Sequence, residues 1–345
     1  MPNALFRCDG GASIGIGHVI RCRALAATLE ARGWRCWFAM TRESAELFGD
    51  SKPIVVPAGI KGAPIVAAAV TARRIDCVVV DHYRLGAPFE HAARGGASVV
   101  VVIDDLANRR HDCDLIVDSG PERRATDYAR CGGGNARFLL GPRYALLRPE
   151  FAARRSKPDR APKADDERLL ITLGGADARR LSGRILAALP SAAETGLEAV
   201  VIIGPANPRR SQLAGQAAAL GVKCLVNPPD LVGLMAGATM AVTAAGVSCW
   251  ELACFGVPMV MIVAAENQRA SARAVCRAGA AVLFEDTSDR GLRRLAGVVR
   301  ALAGDRVRRR RMAMAGRKLI DGRGAARVAE AVTKMIATRR QGERS

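Results

Sequence analysis

The chain has 345 residues, half of them hydrophobic, with a formal net charge of +19 and ten cysteines. That length supports two domains with substantial cores, and with no uncharged apolar run of about 18 residues and no signal-peptide pattern in "MPNALFRCDGG", a cytoplasmic protein is expected. The arginines are spread along the chain beside only three Trp, three Tyr and eight Phe, which argues against a nucleic-acid module and leaves a solvated Arg-rich surface, attraction of a phosphate-bearing substrate, or attraction to a membrane surface without stable insertion.

In chain order, short β-branched apolar runs alternate with helical patterns, as parallel βαβ units require. Strands are expected near residues 4–8, 35–39, 53–56, 76–80, 98–103 and 114–117. The first of them leads through "DGGASIGIGHVI" into a helix that starts at His18. Gly10, Gly11, Gly15 and Gly17 permit tight turns there, and the helix N-terminus presents unpaired N–H groups. The motif is not the dinucleotide fingerprint, because Ile20 stands where GxGxxG needs its third glycine. The positive end of the helix dipole disfavours imidazolium, so His18 is either a neutral general base or a residue that caps the helix or fills space under the loop. Asp9 either orients its ring or is a turn residue.

The next strands end in "DHY" (Asp81, His82, Tyr83) and in Asp104–Asp105. The first set reads as site residues or as a helix cap with a packed tyrosine. The second reads as a polar turn unless it lies beside His18. Residues 152–167, "AARRSKPDRAPKADDE", show no apolar periodicity and read as a linker.

Beyond it the alternation restarts with "RLLITLGGAD" (168–177), "LEAVVIIG", "VKCLVN", "ATMAVTAAG" and "VPMVMIVAAEN". Gly174–Gly175 follow a buried strand, and Ala245, Gly246, Val247 and Ser248 open a helix that displays Glu251. Backbone amides at such turns cradle a pyrophosphate, and a carboxylate one turn into a helix accepts ribose hydroxyls. Asn267 and Gln268 could bond sugar or phosphate groups, or Asn267 could cap a helix. The expected fold is α/β: two doubly wound Rossmann-like domains facing a cleft, divided as 1–151, a linker 152–167, 168–304, and a basic helical segment 305–345. The cysteines form no CxxC pair and the histidines no HExxH, so neither disulfides nor a metal site is expected, and no cofactor.

"FRCDGGASIGIGHVIRCRALA", "VVDHY", "FLLGPRYALLRPEF", "LLITLGGAD" and "AGVSCWELACFGVPMVMIVAAENQ", in this order over about 280 residues, resemble the PseG family. Those enzymes hydrolyse UDP-2,4-diacetamido-2,4,6-trideoxy-β-L-altropyranose in pseudaminic acid synthesis. Spore-coat polysaccharide proteins of the SpsG type share the opening motif. The resemblance implies a GT-B architecture like that of MurG, with UDP held by the C-terminal domain and no metal. It implies that His18 activates water against the anomeric carbon with inversion, that Tyr83 and Asn267 complete the active site, and that Glu251 binds ribose. It also implies a UDP-sugar substrate and contact with other enzymes of that pathway. A GT-B glycosyltransferase, or an SpsG-like polysaccharide enzyme using another UDP-sugar, is the alternative.

Overall fold

The computed structural model describes residues 1–11, 14–47, 52–97, 99–129, 131, 136–156, 167–175, 180–204 and 207–342. It divides into two compact units. One comprises Met1–Gly11, His18–Pro149 and Arg323–Ser345; the other comprises Ala12–Gly17 and Glu150–Gly322.

In the first unit the strands are β1 (Asn3–Cys8), β2 (Arg35–Met40), β3 (Ile54–Val55), β4 (Cys77–Asp81), β5 (Val99–Ile103), β6 (Leu115–Asp118) and β7 (Arg137–Leu140). They form one parallel sheet in the order β3-β2-β1-β4-β5-β6-β7. "CVVVD" and "VVVVI" are buried along their whole length, the mark of central strands covered on both faces. On one face Phe6, Cys8 and Val79 pack against Val19, Cys22, Leu25 and Leu29 of the helix Gly17–Glu30 and against Val328, Val332 and Ile336 of the last helix, Gly324–Gly342. On the other, Leu5, Val78 and Val80 meet Val66 and Val70 of the helix Ala63–Ala72 and Phe89 of Ala87–Arg94.

The second unit repeats the plan with β8 (Arg168–Thr172), β9 (Glu198–Ile203), β10 (Lys223–Val226), β11 (Met240–Ala244), β12 (Met259–Ile262) and β13 (Ala281–Phe284), in the order β10-β9-β8-β11-β12-β13. Both sheets therefore reverse strand order once: between β1 and β4 in the first, between β8 and β11 in the second. Such a reversal opens a crevice at the carboxyl ends of the two strands, the usual ligand position in an open α/β sheet.

The eleven sequence-read strands are present, and β7 and β13 are additional. Each of these has four residues at a sheet edge, where one neighbour suffices and no long apolar run is needed. The stretch read as a linker begins inside a helix, Pro149–Arg155, whose Phe151 stacks on Phe255 at 5.4 Å and whose Arg155 donates to the Cys254 and Arg317 carbonyls at 2.6 and 2.8 Å. Residues 157–166 of that stretch lie outside the described residues. The segment read as one basic tail from 305 is two helices, Arg306–Leu319 in the second unit and Gly324–Gly342 in the first. All ten cysteines are free thiols. Among the described residues no helix is long and apolar enough to cross a membrane.

Candidate functional site

At the crevice of the first sheet, β4 ends in Asp81, which is fully buried. His18, the second residue of its helix, lies beside it with Nδ1 2.6 Å from Asp81 Oδ1. Arg21, three residues on and so on the same helix face, forks the same carboxylate: Nε donates to Oδ2 and Nη2 to Oδ1, both at 2.6 Å. Its third nitrogen, Nη1, donates to Asp105 Oδ2 at 2.9 Å, and the Tyr83 hydroxyl donates to the same oxygen at 3.4 Å. The Tyr83 ring meets the His18 ring edge-on, centroids 4.3 Å apart. His18 is thus held by a carboxylate behind it and an aromatic ring beside it.

This arrangement selects a tautomer. An ionised Asp81 only accepts, so His18 Nδ1 carries the proton and donates it. Arg21 Nη2, 3.3 Å from the same Nδ1, is then a close neighbour rather than a donor to it. Nε2 makes no protein hydrogen bond among the described residues, and its lone pair is available to take a proton. Burial alone would raise the Asp81 carboxyl, but Arg21 and then His18 hold it well below the usual carboxylate range. Burial likewise works against the Arg21 charge, and Asp81 and Asp105 more than restore it.

Asp9 does not orient His18. It accepts from Arg7 Nη2 at 2.7 Å and from the Thr41 backbone N–H at 2.8 Å, with Oδ2 3.6 Å from His82 Nε2. His82 takes the Arg84 backbone N–H on its Nδ1 at 3.0 Å. Burial, then the Arg7 charge, push His82 down to about 4. The loop His82–Leu85 that carries Tyr83 is clamped by Arg109, whose Nη2 donates to the His82 carbonyl at 2.9 Å, Nε to the Leu85 carbonyl at 2.7 Å and Nη1 to Asp104 Oδ1 at 2.6 Å. Asp104 also accepts from the Ala107 backbone N–H at 2.8 Å and the Tyr128 hydroxyl at 3.1 Å. The acids at the end of β5 are therefore no simple turn. Asp105 faces the His18 array, and Asp104 anchors the clamp behind it.

The sequence reading missed Arg21, Arg109 and the role of Asp81. For Arg21 a signal existed in its i, i+3 spacing from His18. Nothing local ties Arg109 to the carbonyls of a loop some 25 residues earlier in the chain.

In the second unit, Gly174 follows β8 with φ of +88°. A methyl on Gly204, at the end of β9, would lie 2.3 Å from Gly175 Cα, so these two strand ends touch backbone to backbone. Gly15 (φ +79°) and Gly17 group with this unit: a methyl on Gly175 would meet Ile16 Cδ1, and one on Gly17 would lie 3.4 Å from Val247 Cγ2. Across the strand-order reversal, β11 runs through Ala245 to Gly246 and into the helix Val247–Phe255, with Ser248 in its first turn and Glu251 buried. Gln268, in the turn Glu266–Gln268, accepts from the Ala264 N–H at 3.2 Å, with its Nε2 3.8 Å from where a methyl on Gly246 would stand. Asn267 is the middle residue of that turn, and its side chain lies outside what the structure describes. Two glycine turns and a helix N-terminus thus flank one crevice, a geometry suited to an anionic diphosphate. Among the described residues no three His, Cys, Asp or Glu side chains group to hold a metal ion.

Residues 168–328 match the family model of the glycosyltransferase family 28 C-terminal domain. The chain is 28% identical over 337 residues to the spore coat polysaccharide biosynthesis protein SpsG of Bacillus subtilis, covering 93% of this chain and 94% of that protein. It is 25% identical over 186 residues to the UDP-2,4-diacetamido-2,4,6-trideoxy-β-L-altropyranose hydrolase of Campylobacter jejuni, covering 54% of this chain and 65% of that one. Among solved structures, MurG of Acinetobacter baumannii superimposes with a TM-score of 0.62 at 16% identity, covering 96% of this chain and all of MurG. The chain therefore has the two-domain GT-B fold, and its second unit carries a match to the C-terminal domain of glycosyltransferase family 28.

Proposed function

We propose that this protein is a UDP-sugar enzyme of surface-polysaccharide synthesis, of the SpsG-like kind, that breaks the bond between the anomeric carbon and the diphosphate. The observation that carries the reading is His18, with its Nδ1 proton committed to buried Asp81 at 2.6 Å and Nε2 left as a base. In the proposed reaction Nε2 takes the proton of an attacking hydroxyl, a bond forms from that oxygen to C1, the C1–O bond breaks, and UDP departs with the electron pair. Tyr83 holds the imidazole plane from the side. The turns at Gly174–Gly175 and Ala245–Ser248 bind the diphosphate through backbone N–H groups, Glu251 takes the ribose hydroxyls, and Asn267 and Gln268 the phosphate or sugar end. The match of residues 168–328 to a glycosyltransferase domain and the full-length similarity to a polysaccharide biosynthesis protein support a sugar nucleotide as substrate.

The attacking hydroxyl belongs to a sugar acceptor in this reading. A second reading, with water in that place and the diacetamido-trideoxy-altrose as the sugar, is favoured by the partial similarity to the Campylobacter hydrolase. Turnover of UDP-linked acetamido sugars in oxygen-18 water, with and without candidate acceptors, separates them. Acceptor-dependent UDP release without label in the sugar supports transfer. Labelled free sugar without an acceptor supports hydrolysis, and no UDP release from any sugar under either condition sinks both.

A further inference from the structure

The helix Arg306–Leu319 packs into the second unit through Arg309, Met312 and Gly316. The opposite side carries Val307, Arg310, Arg311, Met314 and Lys318, which at 100° per residue fall within an arc of about 100°. All five are exposed. Val307 and Met314 keep 63% and 59% of their surface in water, among the most exposed large apolar side chains of the protein. The helix contains no acid, and no carboxylate of the described residues pairs with Arg310, Arg311 or Lys318. Arg306 and Arg308 flank the stripe.

Three unpaired cations interleaved with two large apolar side chains differ from a merely solvated charged face, which would have no use for the valine and methionine. The pattern is complementary to a surface that is anionic on the outside and apolar just beneath. A nucleic acid would use the cations but offers the valine and methionine little, and the stripe has no aromatic ring to stack on a base. We propose that this stripe docks the second unit on the anionic surface of a phospholipid bilayer, with the guanidinium and ammonium groups among lipid phosphates and Val307 and Met314 at the acyl boundary. The attachment is peripheral and reversible.

The test is partitioning of the full chain onto phosphatidylcholine vesicles with and without about one-third phosphatidylglycerol. Binding is expected only to the anionic vesicles and to weaken with salt. Each cation lost costs about fivefold, and reversal adds a repelled carboxylate at each position, so the R310E/R311E/K318E variant is expected to bind at least about 100-fold more weakly. V307S/M314S should weaken binding severalfold and make the remainder more salt-sensitive. All five positions are exposed, and an unchanged thermal transition confirms folding. Three results overturn the proposal: no binding to anionic vesicles, binding that survives the triple reversal but is lost in R293E/R294E, two exposed arginines of the preceding helix Asp289–Gly304, or stripe-dependent binding to duplex RNA or DNA in place of vesicles. The readout is partitioning rather than turnover, so either outcome leaves the proposed reaction standing.

Discussion

Asp81→Asn tests the base-and-carboxylate arrangement at its root. Wild-type Oδ1 accepts from His18 Nδ1 and Arg21 Nη2, and Oδ2 accepts from Arg21 Nε. An asparagine has one oxygen. With that oxygen in the Oδ1 position, His18 keeps its tautomer, but the amide NH2 faces Arg21 Nε, donor against donor. With the amide reversed, the NH2 faces both Nη2 and Nδ1, forcing the proton onto Nε2 and removing the base. Either way the part-buried Arg21 loses most of its charge compensation. Breaking a buried pair costs about 3–5 kcal/mol, and because Arg21 keeps Asp105 at 2.9 Å, the lower end, ~3 kcal/mol, is expected. At roughly 2–4 °C per kcal/mol for a unit of this size, the transition of the unit that holds Asp81 should fall by about 6–12 °C in a thermal scan. Turnover measured well below that transition should drop by ~10²–10⁴, with UDP affinity unchanged. A transition within about 1 °C of wild type, with unaltered kcat, would refute the argument.

Four further outcomes follow from the geometry. Gly204→Ala sets a methyl 2.3 Å from Gly175 Cα, against backbone that cannot yield cheaply, so it should lower the second unit's stability by ~1–3 kcal/mol and weaken UDP binding. Gly175→Ala meets the Ile16 side chain, at Cγ1 and Cδ1, rather than backbone and should be milder; the reverse ranking in thermal-shift titrations with UDP would contradict this placement. Arg109→Ala frees two loop carbonyls and Asp104, and should lower kcat more than it raises KM. Arg109→Lys would restore the charge but not the fork, and full rescue by it would argue against a clamp. His82 sits near 4 when folded against an ordinary value of about 6.5, so the unfolded chain binds an extra proton between those values. Its stabilising contribution is present above about pH 6.5 and is lost as pH falls towards 4, by up to ~3 kcal/mol. In His82→Gln, urea unfolding should show a shallower loss over that window.

The sheets were legible because central parallel strands such as "VVVVI" are buried on both faces and read as unbroken apolar runs. β7 and β13 were not, although the edge strands β3 and β10, no longer than these, were. The glycine turns and His18 were visible because a turn and a helix start have local chemistry. The partner of His18 was not, since Asp9 and Asp81 both end central strands and only the side-chain paths decide which reaches the imidazole. Asp104 and Asp105 look like a polar turn in one dimension; in three, one faces Arg21 and the other Arg109.

The most direct test of the central claim is UDP release from UDP-linked acetamido sugars by wild type and His18→Asn, with UDP affinity measured on the same preparations. Loss of at least about 100-fold in kcat, with UDP affinity held within roughly threefold of wild type, is the predicted result. Undiminished turnover in His18→Asn would contradict it.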